Sequence, residues 1–369
     1  MVFGKRLEHI IKDTAAAFLR KILEQPSKTP WPPFHRILFL RFDVLGDMIL
    51  SIPVFKTTRA VLPNAEIDVL CSPKNFILLE DTTLTDHLYI YKKNPLHMLA
   101  LIWRIRKKKY DLIINLVTRA SFTFGIVARL GGPRALRLAA DQEQFSYFYN
   151  HIVDLPPKSE IHMLKRKFLL CAEIINDKIR HTDIPWIDFG TAVKHRAGQI
   201  YVKVLLDLNI GTDNAKVAAI NLSAGLARRE WPLEKNVHFL KQAINKYQDR
   251  IAAWVVITNP VKPHEAAELI SLVNNPRVRA IPAQSDFRVI IEFLNLVTVL
   301  VTPDTSIMHA ASATGTPVLA LMIRENIKIW DPIGVANKII LSDDPFTLKD
   351  LSVEKVIEGF DQLMRQIDV

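Results

Sequence analysis

Phe42-Asp43-Val44-Leu45-Gly46-Asp47-Met48 and Pro303-Asp304-Thr305-Ser306-Ile307-Met308-His309 each follow an apolar run of the chain. In both, small or acidic residues form a predicted turn between a buried strand and a helix. Open α/β sheets bind ligands at this carboxyl edge of their strands, and the first turn of a helix there offers free amide donors to an anion. The two segments therefore predict two α/β halves that face a shared central cleft.

Short apolar runs alternate with amphipathic segments around both turns. In the first half we predict strands at 36–42, 66–71 and 111–116, and helices at 47–62 and 96–107. In the second half we predict strands at 216–222, 252–257, 296–301 and 318–322, with helices from 233, through 265–273, from 306 and at 351–367. This alternation is typical of parallel sheets with crossover helices.

A separate segment, residues 1–33, precedes the first half. Its apolar residues recur at helical spacing, and a proline-rich break at 25–33 then ends any helix. The apolar stripe packs either on the protein's own core, which is the commoner use of such a pattern, or on a membrane surface. We place the domain boundaries at 1–33, 34–200 and 201–369.

Composition narrows the classes of partner and compartment. The 369 residues carry 48 basic and 38 acidic side chains, a net charge of +10 that favours polyanions such as anionic lipid or phosphorylated glycan. Nucleic acid is disfavoured because the chain has no basic stretch interleaved with aromatic residues. No signal peptide or membrane span is predicted, and the two distant cysteines, Cys71 and Cys171, fit no metal or disulfide spacing. We expect a cytoplasmic protein without a metal site, possessing at most a peripheral contact with the inner membrane.

Three motifs, in order along the chain, resemble the glycosyltransferase family 9 heptosyltransferases. They are Gly46-Asp47 followed by Ser51-Ile52-Pro53, the stretch Arg228-Arg229-Glu230-Trp231-Pro232-Leu233-Glu234, and Asp304-Thr305-Ser306 with His309, Ala313, Gly315 and Pro317. The resemblance implies a GT-B fold of two Rossmann-like domains, with acceptor binding in 34–200 and nucleotide-sugar binding in 201–369. It also implies inverting, metal-independent transfer of a sugar, usually from ADP-heptose, to a lipopolysaccharide-core or other surface-glycan acceptor.

Asp47 is our candidate for the general base that takes the proton from the acceptor hydroxyl. It lies in the Gly-Asp turn at a predicted helix start, where the helix end keeps a carboxylate ionised and Gly46 lets a substrate approach the backbone. A plain helix cap is the alternative, and Asp43 is the rival for the catalytic role.

The leaving nucleoside diphosphate needs fixed positive charge and aimed donors. The resemblance places a basic residue two positions before Trp231, which makes Arg229 the candidate phosphate ligand, beside Arg228 and the hydroxyl of Ser223. The sequence has no Asp-x-Asp pair and no His and carboxylate cluster at metal-ligand spacing. Two solvated arginines are the alternative interpretation.

The late helix supplies the remaining candidates for donor binding. Thr305 and Ser306 offer amides and hydroxyls to a diphosphate, Asp304 is placed for sugar hydroxyls, and His309 follows one turn later. For Asp304 a helix cap, and for His309 a structural role, are the alternatives.

Three departures from the family pattern surround the nucleotide side. Ser306 replaces the usual glycine, Thr258-Asn259-Pro260 replaces a Gly-Gly-Pro turn, and Met322-Ile323 replaces Phe-Gly. They leave open a family 9 enzyme with another donor sugar. A non-catalytic nucleotide-sugar-binding protein is the alternative from a different class.

Overall fold

The computed structural model describes residues 33–175, 187, 189–324 and 328–367, and these residues form two compact units. Of these residues, the first unit contains 33–44, 54–157 and 164–175, and the second contains 45–53, 158–163, 187, 189–324 and 328–367. The predicted N-terminal helix lies outside the described residues. Within those ranges, no helix has both the length and the apolar character that crossing a membrane requires.

The first unit is built on a six-stranded parallel sheet in the order β3-β2-β1-β4-β5-β6. Its central strands are almost continuously apolar, as expected of a parallel sheet covered on both faces. The strands are β1 (Arg36–Arg41), β2 (Glu66–Cys71), β3 (His87–Ile90), β4 (Leu112–Asn115), β5 (Leu136–Ala139) and β6 (His151–Ile152).

The second unit repeats this topology in a parallel sheet of order β12-β11-β10-β7-β8-β9. Counted from its own first strand, it has the doubly wound order 3-2-1-4-5-6, as the first sheet has. The strands are β7 (Val217–Asn221), β8 (Ala253–Ile257), β9 (Val278–Ala280), β10 (Val299–Pro303), β11 (Val318–Met322) and β12 (Asn337–Leu341).

Helices connect the strands in both units. In chain order they are α1 (Leu45–Ile49), α2 (Ile52–Val61), α3 (Pro95–Lys108), α4 (Phe122–Gly131), α5 (Met163–Ile175), α6 (Thr191–Asp207), α7 (Leu233–Lys246), α8 (Pro263–Val273), α9 (Phe287–Leu294), α10 (Ser306–Thr314) and α11 (Val353–Gln366). The last helix, α11, packs on α7, β11 and β12 of its own unit, where Phe360 meets Phe239 and Trp254 at ring-centroid distances of 5.6 Å.

The helix predicted at 47–62 is two helices, α1 and α2, which is a correction to the sequence analysis. Pro53 explains the break, because proline has no amide hydrogen for a helix interior but fits a first helical turn. The Ser51 hydroxyl fills the gap by donating to the Asp47 carbonyl at 2.8 Å. As a result, Asp47 is the third residue of a five-residue helix rather than the first residue of a long one.

The division into units differs from the sequence-based boundaries in two places. The segment 45–53, with Asp47, groups with the second unit although it lies early in the chain. The sequence-based boundary between residues 200 and 201 falls inside α6, which packs on α9 and belongs wholly to the second unit.

Candidate functional site

The candidate residues of the second unit lie at the point where its strand order reverses. β7 and β10 are neighbours in the sheet, with Ile220 opposite Val301, yet the chain leaves them toward opposite sides. The loops that follow them therefore diverge and leave a crevice at the carboxyl edge, which is where doubly wound sheets bind ligands. Ser223 and Arg229 follow β7, and Asp304 and Thr305 follow β10.

Asn221, the last residue of β7, ties these two loops together. It is 1% exposed, and its amide nitrogen donates to the Thr302 hydroxyl at 2.9 Å and to the Ser223 carbonyl at 3.0 Å. Its carbonyl oxygen accepts from the Ser223 hydroxyl at 2.9 Å. The Ser223 hydroxyl, which we predicted as a donor to phosphate, thus gives its single hydrogen to the buried Asn221 side chain in this structure.

Arg229 and Asp304 form an ion pair across the crevice, with 3.0 Å between Arg229 Nη1 and Asp304 Oδ2. The Asp304 side chain is 6% exposed and the Arg229 side chain 23% exposed. Arg229 Nε is buried and has no hydrogen-bond acceptor among the described residues. A buried donor left in this state costs about 1–3 kcal/mol, so the guanidinium retains an unused N–H next to its carboxylate partner.

The loop that carries Arg229 is anchored on both sides. A short 3-10 turn, Ala227–Arg229, precedes Trp231, whose buried indole N–H donates to the Leu351 carbonyl at 3.0 Å. Lys262, from the loop after β8, pairs with Glu230 at 3.1 Å. Trp231 is therefore a structural anchor that fixes the position of Arg229.

Thr305 is the N-cap of α10, and its hydroxyl accepts from the Ile307 amide at 3.1 Å. The Thr305 hydroxyl accepts in this cap, so the bond does not use the hydrogen that we predicted it donates to phosphate. Ser306, half-buried, begins the helix. The helix ends at Gly315, whose φ of 83° is the left-handed conformation that favours glycine.

Helix α1 packs directly on α10. A side chain at Gly46 would place its Cβ 2.9 Å from His309 Cδ2 and 3.4 Å from Ser306 Cα. The small residue in the Gly-Asp motif therefore permits a close helix contact, which is a different reason from the substrate approach that we expected. His309 is buried, and its ring lies 5.9 Å from that of Trp330.

Asp43, the rival to Asp47, belongs to the first unit. Its carboxylate lies 3.3 Å from Nη1 of the buried Arg41, which also donates to the Leu116 carbonyl at 2.9 Å. The two acidic residues of the first motif are thus separated: Asp43 pairs with a buried guanidinium, and half-buried Asp47 sits on the helix that contacts α10.

The second unit brings most of the predicted site residues to one edge. Asp47 shares α1 with the contact to Ser306 and His309, and Arg229 meets Asp304. Arg228 is exposed, and its carbonyl accepts from the Leu348 amide. Sequence reasoning missed Asn221, whose signal was a polar residue closing an apolar strand, and Trp330, for which the sequence held no signal.

One group of residues in the described chain brings potential metal ligands together, Glu66, Asp68 and His87, with all ligand atoms within 4.8 Å. This corrects the expectation that no His and carboxylate cluster exists, since these residues meet only because β2 and β3 pair. The Lys108 ammonium already pairs with Glu66, and the Tyr110 hydroxyl donates to Asp68. Burial raises the pKa of the Asp68 carboxyl, and the cluster belongs to the first unit, outside the site described above.

Two parallel six-stranded sheets with this order, and a polar crevice at the switch point of the second, define the GT-B class of fold. The sequence model of glycosyltransferase family 9 (heptosyltransferase) matches residues 98–359. The chain belongs to this family of glycosyltransferases.

Relatives found by sequence and by structure include heptosyltransferases and other members of this family. Lipopolysaccharide heptosyltransferase 3 of Escherichia coli is 21% identical over 308 residues, which cover 78% of this chain and 83% of that protein. A glycosyl transferase family 9 structure from Veillonella parvula superposes with a TM-score of 0.74 at 18% identity, covering 90% and 97% of the two chains. E. coli ADP-heptose lps heptosyltransferase II gives 0.70 at 18% identity, covering 90% and 100%.

Proposed function

We propose that this glycosyltransferase moves a heptose from ADP-heptose to a lipopolysaccharide-core or related surface-glycan acceptor, with inversion at the anomeric carbon and without a metal ion. One observation carries the proposal. Three motifs that lie far apart in the chain meet at one edge of the second unit, where Asp47, the Arg229 and Asp304 pair and the start of α10 are the reactive groups.

Asp47 is the proposed general base. As the acceptor hydroxyl oxygen attacks the anomeric carbon, its proton passes to the Asp47 carboxylate, while the bond from that carbon to the diphosphate oxygen breaks on the opposite face. Support comes from the α1 contact with α10, which holds Asp47 beside the helix start proposed for donor binding. Its rival Asp43 belongs to the first unit, where it pairs with the buried Arg41.

Arg229 is the proposed stabiliser of the leaving diphosphate. Its side chain is 23% exposed while Nη1 pairs with Asp304, so a phosphate oxygen can approach the exposed part of the guanidinium. A charge-assisted bond in a partly dry crevice gains strength as negative charge grows on the leaving group. Asp304 orients the guanidinium and is the proposed partner of the sugar hydroxyls, and Ser223, Thr305, Ser306 and His309 complete the proposed donor site.

The donor and acceptor are inferred from relatives. ADP-heptose and lipopolysaccharide stand in the names of the E. coli proteins that this chain resembles, and the net charge of +10 suits a phosphorylated acceptor. The two cysteines, both free and buried, support a cytoplasmic location, with the enzyme working peripherally at the inner membrane.

The test is Asp47→Asn, with Asp43→Asn as the matched control. Loss of a general base lowers turnover by roughly two to four orders of magnitude, whereas the donor should still raise the melting temperature of the Asp47 variant, because its binding contacts remain. Turnover is measured by release of ADP from ADP-heptose in the presence of acceptor. Wild-type turnover in Asp47→Asn, or an equal loss in Asp43→Asn, would remove Asp47 from the role.

A further inference from the structure

Helix α3 of the first unit exposes an apolar stripe that its fold does not use. Leu101, Ile102 and Ile105 are buried against the unit. Leu96, Leu99 and Trp103 are 77%, 60% and 56% exposed.

At 3.6 residues per turn, these three exposed side chains span an arc of about 60° on the side opposite the buried residues. The stripe is therefore a second apolar face of α3. We call it, together with Leu130 at the end of α4, the α3 face.

Basic residues border the α3 face. Arg104 lies on one side of the stripe, with its guanidinium 5.3 Å from the Tyr89 ring centroid. Arg106 lies on the other side and donates to the Leu130 carbonyl, which brings Leu130, 42% exposed, to the edge of the face. Lys107 extends over the Trp103 ring at 3.5 Å.

The sequence around the α3 face has charge of one sign. Residues 87–110 contain seven lysines and arginines and no acidic residue. Lys108 is paired with Glu66, but Lys92, Lys93, Arg104, Arg106, Lys107 and Lys109 are exposed. Helices that lie in the interface of an anionic bilayer have this composition, with leucine and tryptophan in the middle and arginine and lysine around them.

We propose that the α3 face docks this enzyme on an anionic lipid surface, with Leu96, Leu99 and Trp103 entering the headgroup region and the surrounding cations binding lipid phosphates. The inference rests on the proposed function in one respect: the membrane surface is where an enzyme of that function would meet a glycolipid acceptor.

The chain's own N-terminal segment, residues 1–32, is the other candidate to cover the α3 face, and its charge favours the lipid surface instead. The residues that follow that segment lie at the end of α3, since Asp111 accepts from the His35 and Arg36 amides and Arg36 donates to the Lys108 carbonyl. However, residues 1–32 carry six basic and three acidic side chains. Two positive surfaces repel each other and share an attraction to an anionic membrane.

The experiment is co-sedimentation of the full chain with phosphatidylcholine vesicles and with vesicles containing phosphatidylglycerol, at low and high salt. The test variant is Leu99→Ser with Trp103→Ser. The matched control is Val202→Ser with Leu206→Ser on α6, a second exposed apolar pair at 40% and 63% exposure. All four side chains are exposed, so thermal unfolding should be unchanged in both.

We expect the wild type to bind only the anionic vesicles, with binding that weakens as salt rises. The α3 variant should bind about tenfold or more weakly, because two apolar anchors are lost, and the α6 control should match the wild type. A wild type that stays in the supernatant, or an α3 variant that binds like the wild type, would overturn the proposal.

Deletion of residues 1–25 tests whether the N-terminal segment, rather than lipid, covers the α3 face. Weaker binding on deletion, with a further loss in the α3 variant, fits two cooperating surfaces. Stronger binding after deletion would mean that the segment covers the α3 face, and would overturn the choice of lipid. Lipid binding is measured without donor, and the melting-temperature rise with ADP-heptose is recorded on the same variants, so failure of the surface and failure of the proposed activity are separate results.

Discussion

Replacing Gly46 with alanine should slow sugar transfer far more than it destabilises the protein. The new Cβ lies 2.9 Å from His309 Cδ2 and 3.4 Å from Ser306 Cα, whereas carbon atoms prefer separations of about 3.5–4.0 Å. His309 is buried against Trp330, and the Ser306 atom belongs to the backbone of α10. We therefore expect the five-residue helix α1 to move away by about 0.6–1 Å, and Asp47 moves with it.

Two opposing terms set the effect of this change on stability. Overpacking costs about 1–3 kcal/mol, and replacing a helical glycine with alanine returns about 1 kcal/mol. The free energy of unfolding should fall by about 0–2 kcal/mol. Turnover should fall roughly 10- to 100-fold, because a shift near 1 Å in a reacting group has an effect of that order.

The assay pairs initial rates of ADP release with urea unfolding of the same preparation. Gly198→Ala in α6 is the matched control, since an added Cβ there meets no heavy atom within 4 Å. It should keep wild-type turnover and gain slightly in stability. Turnover within twofold of wild type in Gly46→Ala would show that the contact between α1 and α10 does not position the base, and would refute the argument.

We make three further predictions about the proposed site at this edge of the second unit. Arg229→Ala should weaken the binding of both ADP-heptose and ADP, measured by calorimetry, because it removes a charge-assisted phosphate contact. Arg228→Ala, at an exposed neighbouring residue, should change these affinities little. Equal losses in the two variants would mean that the overall positive charge of the loop, rather than Arg229, attracts the donor. Asn221→Ala should lower the free energy of unfolding by about 1–3 kcal/mol, because it removes the buried amide that bonds half-buried Ser223 and the Thr302 hydroxyl; an unchanged urea midpoint would show that water replaces the network. Transfer should survive excess chelator, and abolition reversed by magnesium or manganese would contradict the metal-independent mechanism.

The central strands were predictable from sequence because they are apolar on both faces. β2 and β11 have the predicted bounds, and the other predicted strands shift at their ends by one to three residues. The edge strands β3, β6, β9 and β12, and β5 beside β6, were missed. β3, β6 and β9 have only four, two and three residues, so pairing with a neighbouring strand, rather than their own periodicity, makes them strands.

The candidate residues were predictable, but most of their partners were not. Arg229 and Asp304 were each identified from a local motif, and each had a competing interpretation, a solvated side chain for Arg229 and a helix cap for Asp304. Their ion pair depends on β7 and β10 being neighbours. Gly46 was predicted to let a substrate approach the backbone. A glycine in a turn indicates that some group lies close to it, but the sequence does not say which group. In the structure that group is His309 on α10.

The doubly wound order itself explains why distant motifs meet. In a sheet of order 3-2-1-4-5-6, the first and fourth strands are neighbours whose loops part at the carboxyl edge. In the second unit these strands are β7 and β10, so a loop after each must border the same crevice, whatever the number of residues between them. Arg229 and Asp304 are therefore brought together by topology, whereas Asp47 is brought by packing, through a glycine small enough for α1 to rest on α10. The second arrangement depends on the absence of a single methyl group, because a Cβ at Gly46 would lie 2.9 Å from His309 Cδ2.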